Sequence, residues 1–137
     1  MAPWPISTAF PLTLLASIAL VLAFDSAAAW LTRANPPVYR RLWPVQFALY
    51  VLIGFVAMLA LLDLRLVEIV GALTGFVEAT AGWAITARIG PGRVPNSNPV
   101  SIGIVVLSMT AFGFGFAIAG ALIFNEVAGV MLRSHAG

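Results

Sequence analysis

Residues 64–88 read LRLVEIVGALTGFVEATAGWAITAR, and this stretch decides the fold. It is apolar enough and long enough to cross a bilayer as a helix, yet it carries Glu68 and Glu78. With Glu68 set at 0° and 100° per residue, Gly71 falls near −60°, Gly75 near −20°, Glu78 near −80° and Gly82 near −40°, all rough values from ideal geometry. Both acids and the three glycines therefore share one stripe roughly 100° wide. Leu66, Val67, Val70, Leu73, Val77 and Ile85 occupy the rest. Such a helix has one face for lipid and one for protein.

The whole chain belongs to the same class. Of its 137 residues, 61% are hydrophobic and 9% charged, against about 25% charged in a soluble domain. Mean hydropathy is +1.03. Working outward from 64–88, hydrophobic length gives spans at about 8–31, 45–62, 65–88 and 100–132. The fold class expected is all-α, a four-helix transmembrane bundle forming a single domain over 1–137. Asp63-Leu64-Arg65 is the only turn available between the second and third spans, so these form a tight antiparallel hairpin. Asn35-Pro36-Pro37 ends the first span, and Gly-Pro-Gly with Pro-Asn-Ser-Asn-Pro fills the loop at 89–99. The second span is an almost unbroken apolar run and is expected to be the most lipid-exposed. The fourth exceeds what a vertical crossing needs, so it must tilt, kink or protrude. Gly113, Gly115 and Gly120 mark its expected kink or close-packing point.

The first span ends in Ala27-Ala28-Ala29, which looks like a signal-peptidase site, but no basic residue precedes it. A retained first helix is expected. Trp4, with Pro3 and Pro5, suits an interfacial lead. Orientation follows from the arginines. Arg33, Arg40, Arg41, Arg88 and Arg93 lie in the first and third loops, while only Arg65 and Arg133 lie on the other side. Loops 32–44 and 89–99 are then cytoplasmic, with both termini outside, in a bacterial cytoplasmic membrane.

Ionisable groups inside a bilayer cost about 2.5–3.5 kcal/mol each on insertion scales and so face protein or water. Asp25 lies roughly 12 Å from Arg33 and Glu78 roughly 15 Å from Arg88 at helical rise, so the two share a depth. Glu68, with Glu126 and Asn125, forms a second tier nearer the outer face. Two carboxylates in one apolar layer do not both ionise cheaply; they share a proton or bind a cation. Simpler structural roles compete: Glu68 with Arg65 at i, i+3, Glu126 with Arg133, Asp25 with Ser17, Ser26 or a basic loop residue. Glu78 has no basic residue within a turn, and its simpler role is a neutral hydrogen bond joining two helices. Gly71, Gly75, Gly82, Gly113 and Gly120 are the helix-packing candidates. Phe112, Phe114 and Phe116 alternate faces and read as packing and lipid contact.

Other chemistry is excluded by residue type. Cysteine and lysine are absent, and the only histidine is His135. No thiolate, Schiff-base lysine, bis-histidine haem or Ser-His-Asp set is available, so no enzyme, metal or cofactor is expected. Seven scattered arginines do not make a nucleic-acid surface. The expected partners are membrane lipids and other transmembrane helices. The first functional expectation is a non-catalytic membrane subunit or scaffold, packing within a larger complex or homo-oligomer. The alternative is a small oligomeric proton- or cation-coupled transporter or channel using Glu78 with Asp25.

Overall fold

A computed structural model describes residues 6–90 and 98–134. All of its regular elements are helical: α1 (Ile6–Thr32), α2 (Pro36–Arg40), α3 (Trp43–Leu61), α4 (Leu64–Val77), α5 (Trp83–Ile89) and α6 (Pro99–Ser134). A single π-helical turn, Glu78–Gly82, joins α4 to α5. Four segments are long and apolar enough to cross a membrane: Thr8–Thr32, Pro36–Leu61, Leu64–Ile89 and Pro99–Ser134. Trp4, Arg93 and His135, which entered the reading of the ends and of the third loop, lie outside the described residues.

The hairpin turn is tighter than Asp63-Leu64-Arg65. Leu62 closes α3 in the left-handed conformation, at φ 53° and ψ 23°. Asp63 is extended and caps α4, its side chain accepting the Arg65 backbone N–H at 2.9 Å. Leu64 and Arg65 are already helical. The left-handed cap is normally glycine, because a Cβ there costs roughly 1 kcal/mol or more. Leu62 is exposed, so its side chain contributes little packing. Leu62→Gly is expected to stabilise the fold by about 0.5 kcal/mol, read as a higher melting temperature in detergent.

α6 lies along one side of the α3–α4 hairpin and α1 along the other. Where apolar helices pack backbone to backbone, small residues set the distances. At Gly71 a Cβ would stand 2.5 Å from the Gly113 carbonyl oxygen and 2.5 Å from Ala117 Cβ. The two backbones meet because neither glycine has a side chain. The core beside this crossing holds Tyr50, Ile53, Ala57, Val67, Val70 and Ala117. The Thr74 hydroxyl is buried there with no hydrogen-bond partner among the described residues. Thr74→Val therefore removes a desolvated group and keeps the shape; it is expected to be neutral or stabilising by up to about 1 kcal/mol in the same melt.

Two expectations about exposure are corrected. The second span is not the most exposed: α3 buries Tyr50, Ile53, Gly54, Ala57 and Leu61. These sit three, one, three and four residues apart, a helical stripe that uniform hydropathy hides. The most exposed helix is α6, which leaves Val100, Ile104, Leu107, Leu122, Val130 and Leu132 uncovered. Gly115 is also exposed, with nothing within 4 Å of a Cβ placed there, so it takes no part in the packing of Gly113 and Gly120. α6 is one continuous α-helix; the irregular turn lies instead in the third span, at Glu78.

Candidate functional site

α1 presents Ser17, Val21, Asp25, Ala28, Ala29 and Thr32 to the bundle, all buried and spaced at helical intervals. Its hydroxyl groups satisfy themselves. Ser17 Oγ donates to the Thr13 carbonyl at 2.8 Å, and Thr32 Oγ1 to the Ala28 carbonyl at 2.6 Å. Ser26 likewise donates to the Leu22 carbonyl. An aspartate cannot do this, since a carboxylate only accepts. Asp25, 5% exposed, takes its donor from another helix rather than from Ser17, Ser26 or a loop arginine.

That donor is Gln46, in the first turn of α3. Its Nε2 donates to Asp25 Oδ1 at 3.1 Å and also to Glu78 Oε1. Both amide protons are thereby used on two carboxyls from two different helices. One turn along α3, Tyr50 donates its hydroxyl to the other Glu78 oxygen, Oε2. Glu78 is 2% exposed and Tyr50 1%. Three spans thus meet at one polar knot, Asp25–Gln46–Glu78–Tyr50. Among the described residues no arginine forms an ion pair with either acid, so neutral donors alone hold them.

The π turn aims Glu78. Each residue of such a turn advances less around the axis than in an α-helix, and isolated π turns are frequent at functional sites. It starts at Glu78 and runs through Ala79, Thr80, Ala81 and Gly82. Thr80 Oγ1 donates to the Phe76 carbonyl at 2.9 Å and the Val77 carbonyl at 3.2 Å, supporting acceptors beside the widened turn. The smaller rotation per residue splits the glycine stripe. Gly71 and Gly75 meet α6, while Gly82 meets α1, where a Cβ would stand 2.9 Å from Asp25 Oδ2.

A half-open cavity of about 210 Å³ adjoins the knot. Asp25, Gln46 and Glu78 supply its polar wall, and Phe24, Tyr39, Trp43 and Trp83 its aromatic wall. Met109 closes it from α6. Trp43 is braced edge-on by Phe47 with centroids 4.7 Å apart, and Phe47 stacks on Phe116 at 4.6 Å. Phe112 lies 5.5 Å from Phe47. Two of the three phenylalanines of the α6 stripe thus pack on Phe47, which in turn braces Trp43, while Phe112 and Phe114 both remain exposed.

The second tier does not converge. Glu68 is half-buried, and Asn125 and Glu126 are exposed. Among the described residues no hydrogen bond or ion pair links them, and neither Glu68–Arg65 nor Glu126–Arg133 forms an ion pair. Nor do three or more metal-ligating side chains (His, Cys, Asp or Glu) come together among the described residues. Gln46 and Tyr50 are the site residues that hydropathy passes over. The usable signal was a lone glutamine inside an apolar span, with a tyrosine one turn away on the same face.

Comparison with protein-family models, with curated proteins and with solved structures finds no match, so the site stands on its own geometry.

Proposed function

We propose that this chain crosses a membrane four times as a single transmembrane domain and works as a small proton- or cation-coupled transporter or channel, with the Asp25–Gln46–Glu78–Tyr50 knot as its site. One observation carries this reading: Glu78 is buried inside the bundle and shares a donor with Asp25, rather than facing outward to meet another chain. A lone neutral hydrogen bond would suffice to join two helices. Two carboxyls on one amide make a place whose charge changes when a proton or cation arrives.

In this reading the arginine-bearing end, with Arg33, Arg41 and Arg88, faces the cytoplasm, and both ends of the chain lie outside. At that end the cavity is lined by Tyr39, Leu42 and Trp43. Beyond the knot the way is closed by Tyr50 and the apolar core. α1 is held tightly at the site's end, where Gly82 and Gly90 approach it. Its other half leaves an apolar cleft of about 340 Å³ against α3, lined by residues such as Leu12, Leu20, Leu52 and Val56. Access from the far side would come from movement of that looser half.

The competing reading, a non-catalytic subunit, has the chain pack against other proteins through the long span four and through span three. Its Gly71 and Gly75 face is already covered by α6, which leaves the exposed length of α6 for such a partner. The separating experiment uses the protein purified alone and reconstituted in liposomes carrying a pH-sensitive dye. Ion flux above that of empty liposomes supports transport. No flux, with co-purification of a larger complex, supports the subunit.

A further inference from the structure

The cavity beside the knot has two unlike walls, and together they select a ligand. On the polar side, Asp25 spends Oδ1 on Gln46, while Oδ2 takes no hydrogen bond among the described residues. The fully enclosed side-chain polar atoms there are all bonded except Thr74 Oγ1. Asp25 Oδ2 is therefore unpartnered yet not enclosed, and Asp25 lines the cavity. A residue 5% exposed thus lines the cavity while one of its acceptor oxygens remains unpartnered. Glu78 differs, since Gln46 and Tyr50 occupy both of its oxygens.

The same cavity is also lined by the aromatic side chains of Phe24, Tyr39, Trp43 and Trp83. Aromatic faces attract cations through their quadrupole, tryptophan most strongly, and they suit alkylated ammonium groups that a bare metal ion's ligands would not. A metal ion would want a shell of oxygen donors at short range, and this cavity offers two carboxyls and an amide among rings. Its 210 Å³ is below the roughly 300–1,000 Å³ of pockets for drug-sized ligands, so the occupant is small. No arginine lines the cavity.

We infer that the cavity takes a small organic ammonium ion, its N–H donated to Asp25 Oδ2 and its alkyl groups against the rings of Phe24, Tyr39, Trp43 and Trp83. This names the cation of the transport reading and rests on that reading. The ammonium group could belong to a free amine or to a lipid headgroup; the recognition chemistry is the same.

The test is calorimetric titration of the full-length protein in detergent with trimethylammonium, with tert-butanol, a neutral molecule that keeps three methyl groups and one hydrogen-bond donor, and with sodium. The expected result is saturable trimethylammonium binding, with the other two weaker by about tenfold or more, since tert-butanol lacks the charge that strengthens the hydrogen bond and the ring contacts, and sodium lacks the N–H donor and the methyl groups. Asp25→Asn should weaken trimethylammonium by about tenfold or more. Trp83→Leu should weaken it by several-fold, and Glu68→Gln should leave it unchanged. Competition by added phosphatidylethanolamine supports the inference with a lipid headgroup as the source; saturable binding without competition supports it with a free amine. Equal binding of trimethylammonium and tert-butanol, equal competition by sodium, or no binding overturns it, and the wild-type comparison needs no variant to fold. If dye-reported flux persists without ammonium binding, only this inference falls. If both are absent, the transport reading falls with it.

Discussion

Glu78→Gln is expected to reduce flux in reconstituted liposomes to the level of empty liposomes while leaving the protein folded. Glutamine has nearly the shape of glutamate, so the cavity and the π turn are kept. Its amide oxygen still accepts from Gln46, and its NH₂ donates to the Tyr50 hydroxyl, which then acts as acceptor. Stability should change by about 1 kcal/mol or less. What is lost is the ability to carry a charge or bind a proton at that point. Glu78→Ala differs because it strands the Gln46 and Tyr50 donors, at about 1–3 kcal/mol for each buried group left unpaired. Glu68→Gln and Glu126→Gln should retain flux, because neither residue touches the knot. Dye-reported flux and detergent melting on the same preparations separate loss of chemistry from loss of fold.

Gly113→Leu is expected to be severely damaging to the fold, costing about 3 kcal/mol or more. A Cβ on Gly113 already overlaps the Gly71 carbonyl oxygen and stands 3.1 Å from Tyr50 Cε1. A backbone oxygen cannot swing aside, so α4 and α6 must separate, and core contacts around Ala117 and Val70 go with them. Folded proteins keep only about 5–15 kcal/mol in hand, so a large fall in melting temperature or loss of folded protein should follow. Tyr50 both lines this crossing and holds Glu78, so partial separation would also loosen the knot. Gly115→Leu, two residues on, is the control: its Cβ meets nothing within 4 Å, and the expected change is within about 0.5 kcal/mol.

Hydropathy was enough to read four long apolar helices and one tight hairpin, because a span's length and apolarity are properties of a contiguous segment. Counting residues from Arg33 and Arg88 placed Asp25 and Glu78 at one level for the same reason. Which way each helix faces was harder. α3 is apolar on every side, so the stripe through Gln46, Tyr50, Ile53, Ala57 and Leu61 left no contrast for hydropathy to detect. Only size and polarity along that stripe distinguish it. The π turn was invisible to a fixed 100° per residue, and it separates Gly71 and Gly75, which meet α6, from Gly82, which meets Asp25. The weak pairs expected of Glu68 and Glu126 failed for an energetic reason. Near an interface, exposed ion pairs gain about 0–1 kcal/mol, too little to order two long side chains.

The central claim is that Asp25 and Glu78, on separate helices, act as one unit through Gln46. A double-substitution cycle on flux tests it most directly: wild type, Asp25→Asn, Glu78→Gln and both together, each reconstituted at equal protein density. Residues that act as a unit are strongly non-additive. Each single substitution is expected to lose about as much flux as the pair. Losses that multiply independently, or an Asp25→Asn protein with wild-type flux, would contradict it.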